Sequence, residues 1–176
     1  MADCVNALKE WTSKSTATII YDSTVDEFTN DGLFNKVKGK PNIAVVGITT
    51  DGDVFGGFYS VAVKEQDKLD FDDQNIFAFS FESHGRCETP QRFVVKEWFE
   101  DRAVVCFYKG HIHGFVVFWV SGAYCGFFLG NENLGSLCAN MSTGFEGLED
   151  TTLSGQSGVQ SGPFHHCTRL IAIHLS

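Results

Sequence analysis

Between residues 43 and 81 the apolar positions fall into three runs separated by polar turns. Ile43-Ala44-Val45-Val46-Gly47-Ile48-Thr49-Thr50 comes first, Asp53-Val54-Phe55-Gly56-Gly57-Phe58-Tyr59-Ser60-Val61-Ala62-Val63 second, and Asn75-Ile76-Phe77-Ala78-Phe79-Ser80-Phe81 third. Their β-branched and aromatic content suits a pleated, half-buried surface, so three strands are predicted. Asp51-Gly52 between the first two reads as a hairpin turn, because glycine accepts the positive φ that a tight turn demands. The Gly56-Gly57 pair inside a strand marks a bulge or a close backbone approach.

Outside this stretch the pattern alternates between helix and strand signals. Residues 3–14 place Val5, Leu8 and Trp11 at steps of three, which predicts a helix with Asp3 as its N-cap. Residues 16–21 form a β-branched strand. A second helix begins near Thr29 or Asn30, buries Leu33, Phe34 and Val37, and stops at Gly39 and Pro41. Residues 64–73 are polar and acidic, and read as a surface loop. Further strands are predicted at residues 92–95, 104–108, 115–120, 124–129 and 170–175, with a helical turn at 97–102. The run at 115–120 is apolar on both faces, which makes it central. Residues 130–162 are rich in Gly, Ser, Asn and Thr and read as long loops pinned by Leu134, Leu137, Phe145, Leu148 and Leu153. Many short strands, frequent glycine turns and two helices predict a mainly β fold: a sandwich of two antiparallel sheets flanked by short helices.

Composition narrows the picture. The chain has 176 residues, enough for one domain (1–176) with a real core. Seventeen Phe residues would fill the space between the sheets. A net charge of −9 disfavours a general nucleic-acid binder, whose footprint is basic. Lys36, Lys38 and Lys40 make one small basic corner, and Arg86, Arg92 and Lys96 another. No run is long and apolar enough to insert in a membrane, and Met1-Ala2-Asp3 opens no signal peptide, so a cytoplasmic protein is expected. Cys4, Cys87, Cys106, Cys125, Cys138 and Cys167 are scattered without a C-x-x-C pair and read as reduced thiols, Cys106 and Cys125 within the core.

Candidate chemistry is sparse. Gly155-Gln156-Ser157-Gly158-Val159 misses the last glycine of a nucleophile elbow. Asp70-Phe71-Asp72-Asp73-Gln74-Asn75 opens like a calcium loop but lacks its central glycine and distal glutamate, and reads as a solvated acidic loop. His111 and His113 alternate, as metal ligands can, without a third ligand. His165-His166-Cys167 offers ligand types on a strand whose neighbours face opposite ways. No metal and no cofactor are called for. His84 and Cys87 form the one candidate nucleophile pair, with Glu88 to orient the imidazole and Arg86 to favour the thiolate. A polar loop satisfying its own turn outweighs that catalytic reading.

The order of motifs carries a resemblance. Ile19-Ile20-Tyr21-Asp22-Ser23 with Asp26, Phe28, Phe34 and Val37 leads into Gly39-Lys40-Pro41, the first strand, Gly52-Asp53-Val54-Phe55-Gly56-Gly57-Phe58 and Phe77-Ala78-Phe79-Ser80. This series resembles the TLDc domain. The resemblance implies a β-sandwich with short helices, and a non-enzymatic protein-binding role in oxidative-stress resistance through the vacuolar proton-pumping ATPase. Phe55, Gly56, Gly57 and Phe58 of that series, with Arg86 of the second basic corner, are the candidate binding residues. A thiol-dependent or hydrolytic enzyme using Cys87 and His84, and a nucleic-acid-binding stress regulator, are the alternatives.

Overall fold

A computed structural model describes residues 2–88, 90–157 and 164–176 of the chain. Thr89 of the turn-rich connection, residues 158–163 of the glycine-rich loops, and with them Gly158-Val159 of the near-elbow, lie outside the described residues. Two antiparallel sheets stack as the alternation predicts. The larger contains β1 (Ala17–Asp22), β10 (Cys167–Leu175), β2 (Ile43–Thr49), β3 (Val54–Tyr59), β4 (Phe77–Glu82) and β5 (Gln91–Val94), in that spatial order. The smaller contains β6 (Ala103–Phe107), β7 (Val116–Val120), β8 (Cys125–Leu129) and the two-residue β9 (Cys138–Ala139). The strand ending the chain is therefore an interior strand, paired on one side with β1 and on the other with β2. The doubly apolar β7 is interior in its own sheet, flanked by β6 and β8.

Aromatic residues fill the space between the sheets. Phe55 meets Phe127 edge to face, with centroids 5.7 Å apart, and Phe118 stacks on Phe127 at 5.3 Å. The two strand glycines make this contact possible. A β-carbon on Gly57 would lie 2.5 Å from the Phe118 ring, and one on Gly56 would strike the Val45 carbonyl. The pair marks a close approach on both faces of β3. A bulge sits beside it, between Val54 and Phe55.

The helices close what the sheets leave open. α2 (Asn30–Val37) is capped by Thr29, whose Oγ1 accepts from the Gly32 N–H at 3.0 Å. It buries Leu33, Phe34 and Val37, with Phe34 against Phe107 at 5.7 Å. Gly39 follows at φ +72°, the left-handed position that ends the helix. α1 (Ala2–Thr12) starts one residue earlier than expected, so Asp3 lies in its first turn instead of capping it. There its charge faces the positive end of the helix. α1 lies on the outer face of the larger sheet, where Leu8 is buried and Trp11 stacks on Phe81 at 6.2 Å.

Two expected loops carry more structure than composition suggests. In the 64–73 segment, Asp73 is 1% exposed and accepts from the Ser60 and Val61 backbone N–H groups, the Ser60 hydroxyl and the Asn75 N–H. This corrects the reading of a solvated acidic loop. Asp73 caps the end of β3, and a carboxylate bonded this fully can be buried. The 130–157 stretch holds β9 and a single helical turn, α3 (Met141–Gly144), and buries Leu137, Phe145, Leu148 and Leu153. Phe145 also bridges to Val95, which covers the outer edge of β5.

Replacing Gly57 with valine is expected to destabilise the domain by about 1–3 kcal/mol, the usual cost of overpacking. Urea unfolding followed by tryptophan fluorescence would measure it, and an unchanged midpoint would contradict the close approach.

Candidate functional site

Polar side chains converge at one end of the sandwich, where three loops meet. The first is the β2–β3 turn. Gly52 takes φ +88°, and Thr49 Oγ1 accepts from the Asp53 N–H at 3.0 Å, which fixes Asp53 at the mouth of β3. The Asp53 carboxylate is 2% exposed.

The second loop follows β4. Glu82 Oε1 accepts from the backbone N–H groups of Ser83 and His84, at 3.0 and 2.8 Å. His84 and Gly85 then adopt left-handed backbone, φ +52° and +79°. This turn swings His84 and Arg86 back over Asp53. His84 Nδ1–H donates to Asp53 Oδ1 at 2.8 Å, and Arg86 Nη2 donates to the same oxygen at 2.5 Å. Arg86 also reaches the third loop, donating from Nε to the Thr152 carbonyl at 3.1 Å and from Nη2 to the Leu153 carbonyl at 3.3 Å. One guanidinium thus ties three segments together, as its forked donors allow.

Cys87 points elsewhere. Its sulfur lies 3.3 Å from Ser83 Oγ, and its N–H donates to that hydroxyl at 3.1 Å. The proposed Cys87–His84 pair is therefore not joined in this structure: the left-handed turn at His84 sends the imidazole to Asp53 and the thiol to Ser83. Glu88 is exposed and makes no hydrogen bond to His84. Arg86 is part of the cluster, but it serves Asp53 and two carbonyls.

The other binding candidates need correction. Phe55 is 0% and Phe58 3% exposed, and Gly56 and Gly57 are buried with them. Alternation along a central strand sends Phe55 into the inter-sheet core and Phe58 under the outer aromatic layer, so none of the four presents a surface. The basic corners are also engaged. Lys36 pairs with Asp26 at 2.8 Å and Lys40 donates to the Lys36 carbonyl. Arg92 donates to the Trp11 carbonyl, and Lys96 to the Ser142 carbonyl.

Beneath the Asp53 cluster lies a pair that the sequence reading missed. His165 Nε2–H donates to the Phe128 carbonyl at 3.0 Å, which leaves Nδ1 unprotonated and 4.0 Å from Cys138 Sγ. Ser154 Oγ donates to that sulfur at 3.6 Å. Both members are buried. Burial pushes the Cys138 thiol up to about 12 and the His165 imidazole down to about 4. At neutral pH this is a thiol beside a neutral imidazole, shielded from solvent. The two residues stand 27 positions apart, and no local spacing in the sequence signals their meeting.

His111 and His113 make structural contacts. His111 stacks on Tyr108 and Phe128, with centroids at 4.5 and 5.0 Å. His113 Nδ1–H donates to the Gly135 carbonyl at 2.8 Å. Among the described residues no three His, Cys, Asp or Glu side chains converge as a metal site.

A mainly β sandwich, with ten strands in two antiparallel sheets among the described residues and its polar loops gathered at one end, is the class of domain these observations define. The TLDc domain family pattern matches residues 3–159, most of the chain, and the protein belongs to that family. A search of curated proteins finds no match. Among the described residues no helix is long and apolar enough to cross a membrane.

Two predictions test the cluster. Arg86→Met leaves the Asp53 carboxylate without its main partner and is expected to cost up to about 3 kcal/mol, with Arg86→Lys recovering only part, because a point charge cannot serve all three acceptors. Urea unfolding of the three proteins decides it; equal midpoints for Arg86→Met and wild type would refute the tie.

His165 gives a pH signature. Its folded pKa lies at about 4 against an ordinary 6.5, so between those values only the unfolded chain takes up the proton. Stability then rises with pH across that window and is lost on acidification, by up to about 1.4 kcal/mol per pH unit from this group. His165→Gln, which keeps a donor toward the Phe128 carbonyl, is expected to flatten the stability profile between pH 6.5 and 4 relative to wild type. Parallel profiles would refute it.

Proposed function

We propose that this protein is a non-enzymatic, protein-binding TLDc domain of the cytoplasm that supports resistance to oxidative stress by binding the vacuolar proton-pumping ATPase and altering its assembly or activity. Membership of the TLDc family supports the reading. The observation that carries its non-enzymatic part is the commitment of the loop cluster. His84 donates through Nδ1 to Asp53, Arg86 donates to Asp53 and to the Thr152 and Leu153 carbonyls, and Cys87 faces Ser83. The cluster's polar groups brace three loops against one another, which suits a rigid recognition surface.

Affinity capture with the purified domain from lysate of its own organism, at near-physiological salt and with and without peroxide, tests this. Vacuolar ATPase subunits are expected among the captured proteins by mass spectrometry, and Cys87→Ser is expected to capture them equally well. Capture of no ATPase subunit under either condition would overturn the assignment. A hydrolytic or thiol-transfer activity lost in Cys87→Ser would overturn its non-enzymatic part.

A further inference from the structure

α1 covers only part of the larger sheet's outer face. Beside it runs an open groove of about 500 Å³ with largely apolar walls. Its floor crosses five neighbouring strands, from Ile19 on β1 through Ile173 on β10, Ile48 on β2 and Val54 on β3 to Phe81 on β4, and Leu8 of α1 forms a wall. Ile19 is 54% exposed, unusual for an isoleucine on a sheet face already half covered by a helix. Ile173 pairs with Ala44, four residues before Ile48 on β2, so four interstrand spacings of about 4.8 Å and about 13 Å along the strands make the floor about 23 Å long on the diagonal. At 1.5 Å per residue that length accepts a helix of about 15 residues, roughly four turns. Running across the strands beside α1, such a helix would complete a second layer on this face.

The charge of the groove chooses among occupants. Among the described residues its one charged wall residue is Glu82, at the β4 end, and no cationic side chain lines it. The chain as a whole carries −9, so a second copy would bring like charge to like. Glu82 uses Oε1 for the backbone of the following turn and is exposed, which leaves Oε2 for a partner.

We propose that this groove is the docking site for a cationic amphipathic helix of a protein partner, with apolar residues at i, i+3, i+4 and i+7 seated on Ile19, Ile48 and Phe81 and a basic residue set against Glu82. The proposal rests on the reading of this domain as protein-binding, and not on which partner it binds.

The probe is a fluorescein-labelled 14-residue peptide with leucine at the anchor positions and arginine on the opposite face, compared with the same peptide carrying glutamate. Anisotropy at 150 mM salt is expected to show the arginine peptide bound at least tenfold more tightly. Ile19→Asp is expected to weaken it at least tenfold. Glu82→Gln, which keeps the Oε1 acceptor, is expected to weaken it about three- to fivefold, the scale of one rim ion pair. Far-UV circular dichroism confirms that both variants are folded. Equal binding of the two peptides, or no effect of Ile19→Asp, overturns the proposal. A wild-type dimer in sedimentation that Ile19→Asp dissolves also overturns it, in favour of a second copy. The same variants in the lysate capture separate the two readings. ATPase capture that survives Ile19→Asp, together with equal binding of the two peptides, sinks the groove and leaves the proposed function standing. Peptide binding without ATPase capture does the reverse.

Discussion

The sheets can stack only because β3 has no side chain where Phe118 lies. Gly57 faces the inter-sheet space between Phe55 and Tyr59, and the Phe118 ring occupies the volume its β-carbon would need. Phe118 then stacks on Phe127, and Phe127 meets Phe55. A ring of neighbouring aromatics is thus anchored on one missing atom group. Dense interiors do not absorb an added methyl group without moving their neighbours, so this glycine fixes the separation of the sheets and everything built on it. The loop cluster depends on the same separation. Phe55 follows Asp53 by two residues and packs its ring against His165 at 5.2 Å, so the core contact and the polar end share one strand.

Much of this was legible in local pattern. The β-branched and aromatic runs marked β2 and β4 to within two residues and ran four residues past the end of β3, and Asp51-Gly52 marked their first turn, because both signals depend on neighbours in sequence. Gly56-Gly57 signalled a close approach for the same reason. What stayed hidden depends on residues far apart. The last strand reads as apolar whether it lies at an edge or in the interior, so nothing local put β10 between β1 and β2. Asp73 reads as one more carboxylate in an acidic loop, and only the folded chain brings Ser60 and Val61 to it.

The candidate site was half legible, and the reason is instructive. His84, Arg86 and Cys87 share one turn, but the pairing expected among them does not form. Proximity in sequence suggested His84 with Cys87. The left-handed backbone at His84 and Gly85 turns the two side chains apart, and it hands His84 to Asp53, 31 residues earlier. The Cys–His contact that does form, Cys138 with His165, joins β9 to the segment before β10, where His165 bridges to the Ser136 backbone. Phe55 and Phe58 were singled out because a motif centred on them. Both side chains are buried, so this part of the motif marks the core that holds the fold.

Burial also sorts the cysteines, and this bears on any role in oxidative stress. All six are free thiols. Cys106, Cys125, Cys138 and Cys167 are buried, and burial pushes their thiols to about 11 or 12. The thiolate is the species that oxidants attack, so these four are protected by packing and by lack of access. Cys4 and Cys87 are the two with partial exposure. Cys87 lies beside the Asp53 brace, and Cys4 lines the groove next to α1. A response of the folded domain to peroxide therefore has two points of entry, one at the end of the sandwich and one on the outer face. Oxidation of Cys4 would place a polar group in the apolar groove, and oxidation of Cys87 would break its contact with Ser83. The first would act on what the groove can hold, the second on the turn that carries His84 and Arg86. The fold thus separates the stable core from its oxidisable sites by burial alone.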